Sequence, residues 1–109
     1  MKLIMSIVNT DDAWDLIQAL LRKGHRATII STTGGFLREG NATVLSGVED
    51  DQVASVLETI REHCHTRIQY VNPLPPAIEP GELYMPTPME VEVGGATVFI
   101  FEVERFEKF

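Results

Sequence analysis

The run Ser31-Thr32-Thr33-Gly34-Gly35-Phe36-Leu37-Arg38-Glu39-Gly40-Asn41 gathers groups suited to holding a nucleotide. Gly34, Gly35 and Gly40 let the backbone approach a ligand closely and turn its N–H groups inward. Phe36 is a large apolar ring in a loop, a shape suited to stacking a base. Arg38 can face a phosphate, and Asn41 offers both a donor and an acceptor to a base edge. The same letters also read as a plain turn between two strands, with Phe36 tucked into the core. Just upstream, Arg26 and Thr28 alternate with Ala27 and Ile29 and so share one strand face. That face is either simply solvated or a polar wall beside the loop.

Other chemistries find less support. A Walker-type phosphate loop needs Lys and Ser or Thr after its last glycine, whereas Asn41 and Ala42 follow Gly40. A dinucleotide-fold glycine fingerprint opens a helix, and this segment joins two strands. Cys64 lies between His63 and His65 at the end of a helix, the negative end of its dipole, which disfavours a thiolate. It also falls on the core face of that helix, so a structural role is expected rather than a nucleophile or a metal ligand. The acidic groups around Asp11-Asp12-Asp15 and Glu49-Asp50-Asp51 begin helices, where capping and the dipole account for them. The expectation is no catalytic residue, no metal site and no resident cofactor.

These residues need elements to position them. Residues 2–8 favour a strand. Thr10 reads as an N-cap, and Ala13, Leu16, Ile17, Leu20 and Leu21 recur at helical spacing up to a stop at Gly24. Trp14, beside this stripe, is expected to pack. Strands are expected over 26–32 and 42–48, then a helix opened by Asp50 and Asp51 with Val53, Val56, Leu57, Ile60 and Cys64 on one face. Another strand follows over 67–71. All six prolines lie between Pro73 and Pro88, a density that no helix or central strand survives. Gly94-Gly95 between two β-rich runs, 90–93 and 96–103, reads as a terminal hairpin.

The order β-α-β-β-α-β is the ferredoxin-like, split β-α-β pattern in the α+β class. It predicts one antiparallel sheet with both helices on one face. The other face still carries apolar side chains, and sheet-to-sheet oligomerisation is the simplest cover. The length of 109 residues fits a single domain, 1–109, with its own core.

Charge and composition narrow the partners. The net charge of −7 opposes a nucleic-acid polymer, whose phosphates must be neutralised by many cations, but not a small nucleotide. One cysteine allows no internal disulfide and fits a reducing compartment. The N-terminal apolar run is too short for a membrane span and lacks the features of a signal peptide. A cytoplasmic protein without membrane contact is expected.

Taken together, Thr32-Thr33-Gly34-Gly35-Phe36-Leu37-Arg38, then Gly40-Asn41, and Val91-Glu92-Val93-Gly94-Gly95-Ala96-Thr97-Val98-Phe99 resemble the signature of the PII-like cyclic-di-AMP receptors. The similarity runs through nearly the whole chain. It implies a ferredoxin-like, PII-like homotrimer that binds cyclic-di-AMP in clefts between subunits and signals, without catalysis, by loop rearrangement to an unknown downstream protein. The matched positions imply Arg26, Thr28, Gly35, Phe36, Leu37, Asn41, Gly47 and Phe99 as ligand contacts. Gly24 and Lys108 depart from members that carry a polar amide residue at each position. The alternatives are a PII-like sensor of another adenine nucleotide or of a metal, and an acylphosphatase-like hydrolase. The hydrolase would need a phosphate loop directly after the first strand, where this chain has the acidic Asn9-Thr10-Asp11-Asp12.

Overall fold

The computed structural model describes residues 1–30, 40–71 and 88–109. The elements run β1 (Lys2–Asn9), α1 (Thr10–Arg22), β2 (Thr28–Ile30), β3 (Asn41–Val48), α2 (Val53–His63), β4 (Arg67–Val71), β5 (Met89–Val93) and β6 (Ala96–Glu102). A 3₁₀ turn over Asp50–Gln52 leads into α2. The result is a mixed α+β fold with an antiparallel sheet and two helices, consistent with a PII-like arrangement.

β1 passes into α1 without a loop. Asn9, not Thr10, is the N-cap: its Oδ1 accepts from the Asp11 N–H at 2.9 Å. Thr10 instead donates its N–H to the Gly40 carbonyl at 2.7 Å, tying the helix start to the mouth of β3. The buried stripe of α1 is Ala13, Leu16, Ile17 and Leu20, which share one core cluster with Ile4, Val8 and Val44 of the sheet and Val56 and Ile60 of α2. Leu21 and Trp14 fall outside it, at 55% and 63% exposure. Trp14 follows Ala13 and is turned about 100° from it around the helix axis, away from the sheet.

The main sheet has strand order β2-β3-β1-β6. This corrects two expectations. The strand after α2, β4, is not in this sheet; it pairs antiparallel with β5 in a separate two-stranded ribbon. The two runs flanking Gly94-Gly95 do not form a hairpin with each other, because β5 pairs with β4 while β6 pairs antiparallel with β1. Gly94 and Gly95 make the corner between the two sheets, at φ +83° and +82°. A Cβ on Gly94 would stand 2.6 Å from both the His65 carbonyl and Arg67 Nη1. Glycine is therefore required by contact as well as by conformation.

The ribbon base is fastened to α1. Arg67 Nη2 donates to Asp12 Oδ1 at 2.8 Å and Nη1 to Oδ2 at 3.1 Å, a two-pronged ion pair with a buried carboxylate.

Both helices pack on one face of the main sheet, against Ile4, Ser6, Val8, Val44, Ser46 and Val48. Alternation puts Leu3, Met5 and Ile7 of β1 on the opposite, open face, with Leu45 and Gly47 of β3 and Phe99 and Phe101 of β6.

Candidate functional site

The end of α1 delivers Arg26. Gly24 takes φ +84°, its N–H bonds the Leu21 carbonyl at 3.0 Å, and the His25 N–H bonds the Leu20 carbonyl at 2.9 Å. This paired closure ends the helix and turns the chain along the sheet edge. His25 is buried, with Nε2 3.1 Å from Ser55 Oγ on α2. One residue on, the buried Ser46 hydroxyl donates to the Arg26 carbonyl at 2.6 Å. The His25 side chain is thus tied to α2 and the Arg26 backbone to β3, while the Arg26 side chain stays exposed.

The β2–β3 register then sets the neighbours. Thr28 is opposite Leu45, and continuing the ladder brings Arg26 beside Gly47. Arg26, Thr28 and Gly47 line one groove of about 620 Å³ together with Leu3, Leu45 and Phe106. A Cβ on Gly47 would meet nothing within 4 Å, so its missing side chain leaves the groove open over β3. The floor is apolar, with one cation and one hydroxyl on the β2 side. That combination suits a flat, partly apolar ligand carrying negative charge.

Asn41 lies elsewhere. It sits at the other end of β3, paired with Asn9, and lines a smaller polar groove of about 300 Å³ with Thr66, Gly95 and Thr97. Six residues separate it from Gly47, about 20 Å along an extended strand. Phe99, 37% exposed, is opposite Met5 in the middle of the open face. Gly35, Phe36 and Leu37 lie outside the described residues, as does the proline-rich run over 72–87.

Sequence reasoning missed Phe106. It stands four residues past β6 in a segment with no periodicity, and its only signal was an aromatic ring in a charged tail.

Cys64 is buried in the core, as its place in the helical stripe implied. Burial pushes its thiol from 9.0 up to about 11, and the nearby Asp12 carboxylate adds to the rise. Among the described residues, no three His, Cys, Asp or Glu side chains stand close enough to share a metal ion. None of the described helices is long and apolar enough to cross a membrane.

A family model described as cyclic-di-AMP receptor matches residues 1–109, the whole chain. The chain belongs to the cyclic-di-AMP receptor family. It is also similar to a crystal structure of a functionally unknown protein from Pediococcus pentosaceus ATCC 25745. The two are 40% identical, the match covers 99% of this chain and 96% of that one, and the TM-score is 0.74. In this cyclic-di-AMP receptor family member, then, three of the eight expected contacts meet in one groove. Asn41 and Phe99 stand apart from them on the same chain.

Proposed function

We propose that the protein is a receptor for cyclic-di-AMP that works by binding and not by catalysis. The observation that carries this reading is the meeting of Arg26, Thr28 and Gly47 in one open groove. Arg26 supplies a charge-assisted donor for a phosphate. Thr28 supplies a hydroxyl, and Gly47 leaves room for the ligand to lie against the strand. Phe36 would stack a base, with Gly35 and Leu37 beside it.

The separation of Asn41 and Gly47 along β3 favours a site completed by a second copy. One ligand on one chain would have to cover most of the strand to touch both. The apolar open face gives the copies a reason to assemble, since its burial contributes about 25 cal/mol per Å². A homotrimer with ligand clefts between subunits meets both requirements. Rearrangement of the segments around the cleft would pass the signal to a downstream protein, in the cytoplasm.

The acylphosphatase-like alternative loses ground, because β1 ends at Asn9 and α1 starts at Thr10, leaving no phosphate loop between them. Calorimetric titration with cyclic-di-AMP, cyclic-di-GMP, ATP and AMP tests the reading. Preferential binding of cyclic-di-AMP is expected. Preference for ATP or AMP would move the protein to the adenine-nucleotide alternative. Turnover of an acyl phosphate above background would overturn the non-catalytic reading.

A further inference from the structure

The outer side of α1 carries apolar groups that neither the core nor the groove uses. Beyond Thr10, the exposed residues of the helix are Asp11, Trp14, Asp15, Gln18, Leu21 and Arg22. Trp14, Gln18 and Leu21 follow one another at i, i+4 and i+7, so they form a line about 10 Å long along the helix. At 63% and 55% exposure, Trp14 and Leu21 add little to the core. The helices cover one face of the main sheet, and the groove with Arg26, Thr28 and Gly47 opens on the other. An assembly that buries the open face leaves this line in water. Neither the nucleotide nor the homotrimer accounts for it.

Tryptophan is enriched among the side chains that carry the energy of protein–protein contacts. Two apolar anchors two turns apart match the spacing with which one helix lies along another. Charge defines the guest. Asp11, Asp15 and Arg22 fall within about 40° of one another around the axis, on a single flank of the line. None of the ion pairs among the described residues engages their side chains. The flank is acidic beside Trp14 and basic only past Leu21. A lysine or arginine set beside Trp14 meets both carboxylates and can lie on the indole face. An acidic guest would meet the same two carboxylates and be repelled.

We infer that the Trp14–Leu21 line is a docking surface for an amphipathic helix of another protein, with lysine or arginine beside its apolar stripe. This goes beyond the receptor reading and does not depend on which nucleotide the groove holds.

Trp14 is the one tryptophan of the chain, so its fluorescence reads the surface directly. The probes are two short synthetic helical peptides with the same leucine stripe, one with lysine and one with glutamate at the polar positions, and vesicles of phosphatidylglycerol. The leucine–lysine peptide is expected to bind saturably, to shift the Trp14 emission to the blue and to shield it from iodide. Trp14→Ala, read by calorimetry, should lower its affinity about tenfold or more, and Trp14→Phe should recover part of the loss. Asp11→Asn with Asp15→Asn should weaken binding at low salt, and the difference should fade at high salt. The Trp14 variants should keep the wild-type melting temperature and the wild-type response to cyclic-di-AMP. No saturable binding of the leucine–lysine peptide, or an affinity unchanged in Trp14→Ala, would overturn the surface. Equal or tighter binding of the leucine–glutamate peptide would overturn the basic guest. A blue shift with vesicles and none with peptide would make the line a membrane contact and overturn it too. So would a free protein whose Trp14 is already shielded, or one that sediments as a larger species than Trp14→Ala, because its own chains would then cover the line. Peptide binding without any cyclic-di-AMP binding would leave this surface standing and remove the receptor reading alone.

Discussion

Thr28 and Phe99 stand at the two ends of a single cross-strand row: Thr28 is opposite Leu45, Leu45 opposite Met5, and Met5 opposite Phe99. Three strand spacings separate them, about 14 Å. The row lies on the open face, with two apolar side chains between its ends. A ligand seated at Thr28 on one chain therefore does not reach Phe99 of that chain without crossing the sheet. The same face thus serves two ends. Its β2 edge carries the polar groups of the groove, and its centre is an apolar surface able to receive another copy.

Gly47 provides the most direct check on the groove. It is opposite Leu3, its φ lies outside the positive range, and a Cβ there has open space. Valine suits a strand and removes the entropic cost of glycine. Gly47→Val should leave the melting temperature unchanged or slightly raised. Its side chain would enter the groove, and cyclic-di-AMP affinity should fall about tenfold or more, from loss of ligand contact. Calorimetry and thermal melting on the same sample read both quantities. A variant that binds as tightly as wild type would show that the ligand does not lie against β3.

Met5 tests the role of the open face. It is flanked by Leu45 and Phe99, at the centre of the row. A lysine there would have to lose its water wherever two sheets meet, at a cost that one apolar contact does not offset. Met5→Lys should shift the sedimenting species from trimer to monomer at micromolar concentration, with the far-ultraviolet circular dichroism retained. A wild-type protein that sediments as a stable monomer would remove the assembly from the proposal.

The sequence made the helices and most strands legible, because each carries its own period. Gly24 and the α1 stripe mark the helix end to the residue, and the open apolar face follows from the alternation of β1. What it did not reveal was which strand would sit beside β1. β4 and β6 are both short and β-rich, and nothing local distinguishes them. The choice depends on long-range contacts: the Asp12–Arg67 pair draws β4 to the start of α1, and the crowded Gly94 corner separates β5 from β6. The groove was half legible for the same reason. Arg26 and Thr28 announce themselves by alternation, and Gly47 came from family resemblance. Phe106 gave no pattern, since its place in the groove depends on where the tail returns.

The Asp12–Arg67 pair should be asymmetric under mutation. The Asp12 side chain is 10% exposed and that of Arg67 40%. Removing the arginine leaves a buried carboxylate without its partner, whereas removing the carboxylate leaves a guanidinium that water can reach. Arg67→Ala should be the more destabilising of the two changes, although solvent screens part of the interaction. Asp12→Ala should cost less, about 1 kcal/mol. Both should speed amide exchange over 67–71 and 89–93 while β1 and β3 stay protected. Equal costs, or unchanged exchange in the ribbon, would mean that the pair does not fasten the ribbon to α1.

Cys64 gives a prediction with a definite sign. Its thiol titrates at about 11 in the folded protein against 9.0 when unperturbed, chiefly because burial disfavours the thiolate. Between those values the unfolded chain loses the proton and the folded chain keeps it. The unfolded state is then favoured by ionisation that the folded state does not share. The contribution of Cys64 is therefore fully present below pH 9 and is lost as pH rises through 11. The loss amounts to about 2–3 kcal/mol. Lysine and tyrosine also titrate in this range, so the quantity to measure is the stability difference between wild type and Cys64→Ala at each pH. At pH 7 wild type should be the more stable, by the packing of the buried sulfur. The gap should narrow steadily above pH 9. The same burial makes alkylation by iodoacetamide at pH 8 slow in the native protein and rapid in denaturant. A gap that stays constant to pH 11, or fast native alkylation, would place the thiol in water and contradict its position in the core.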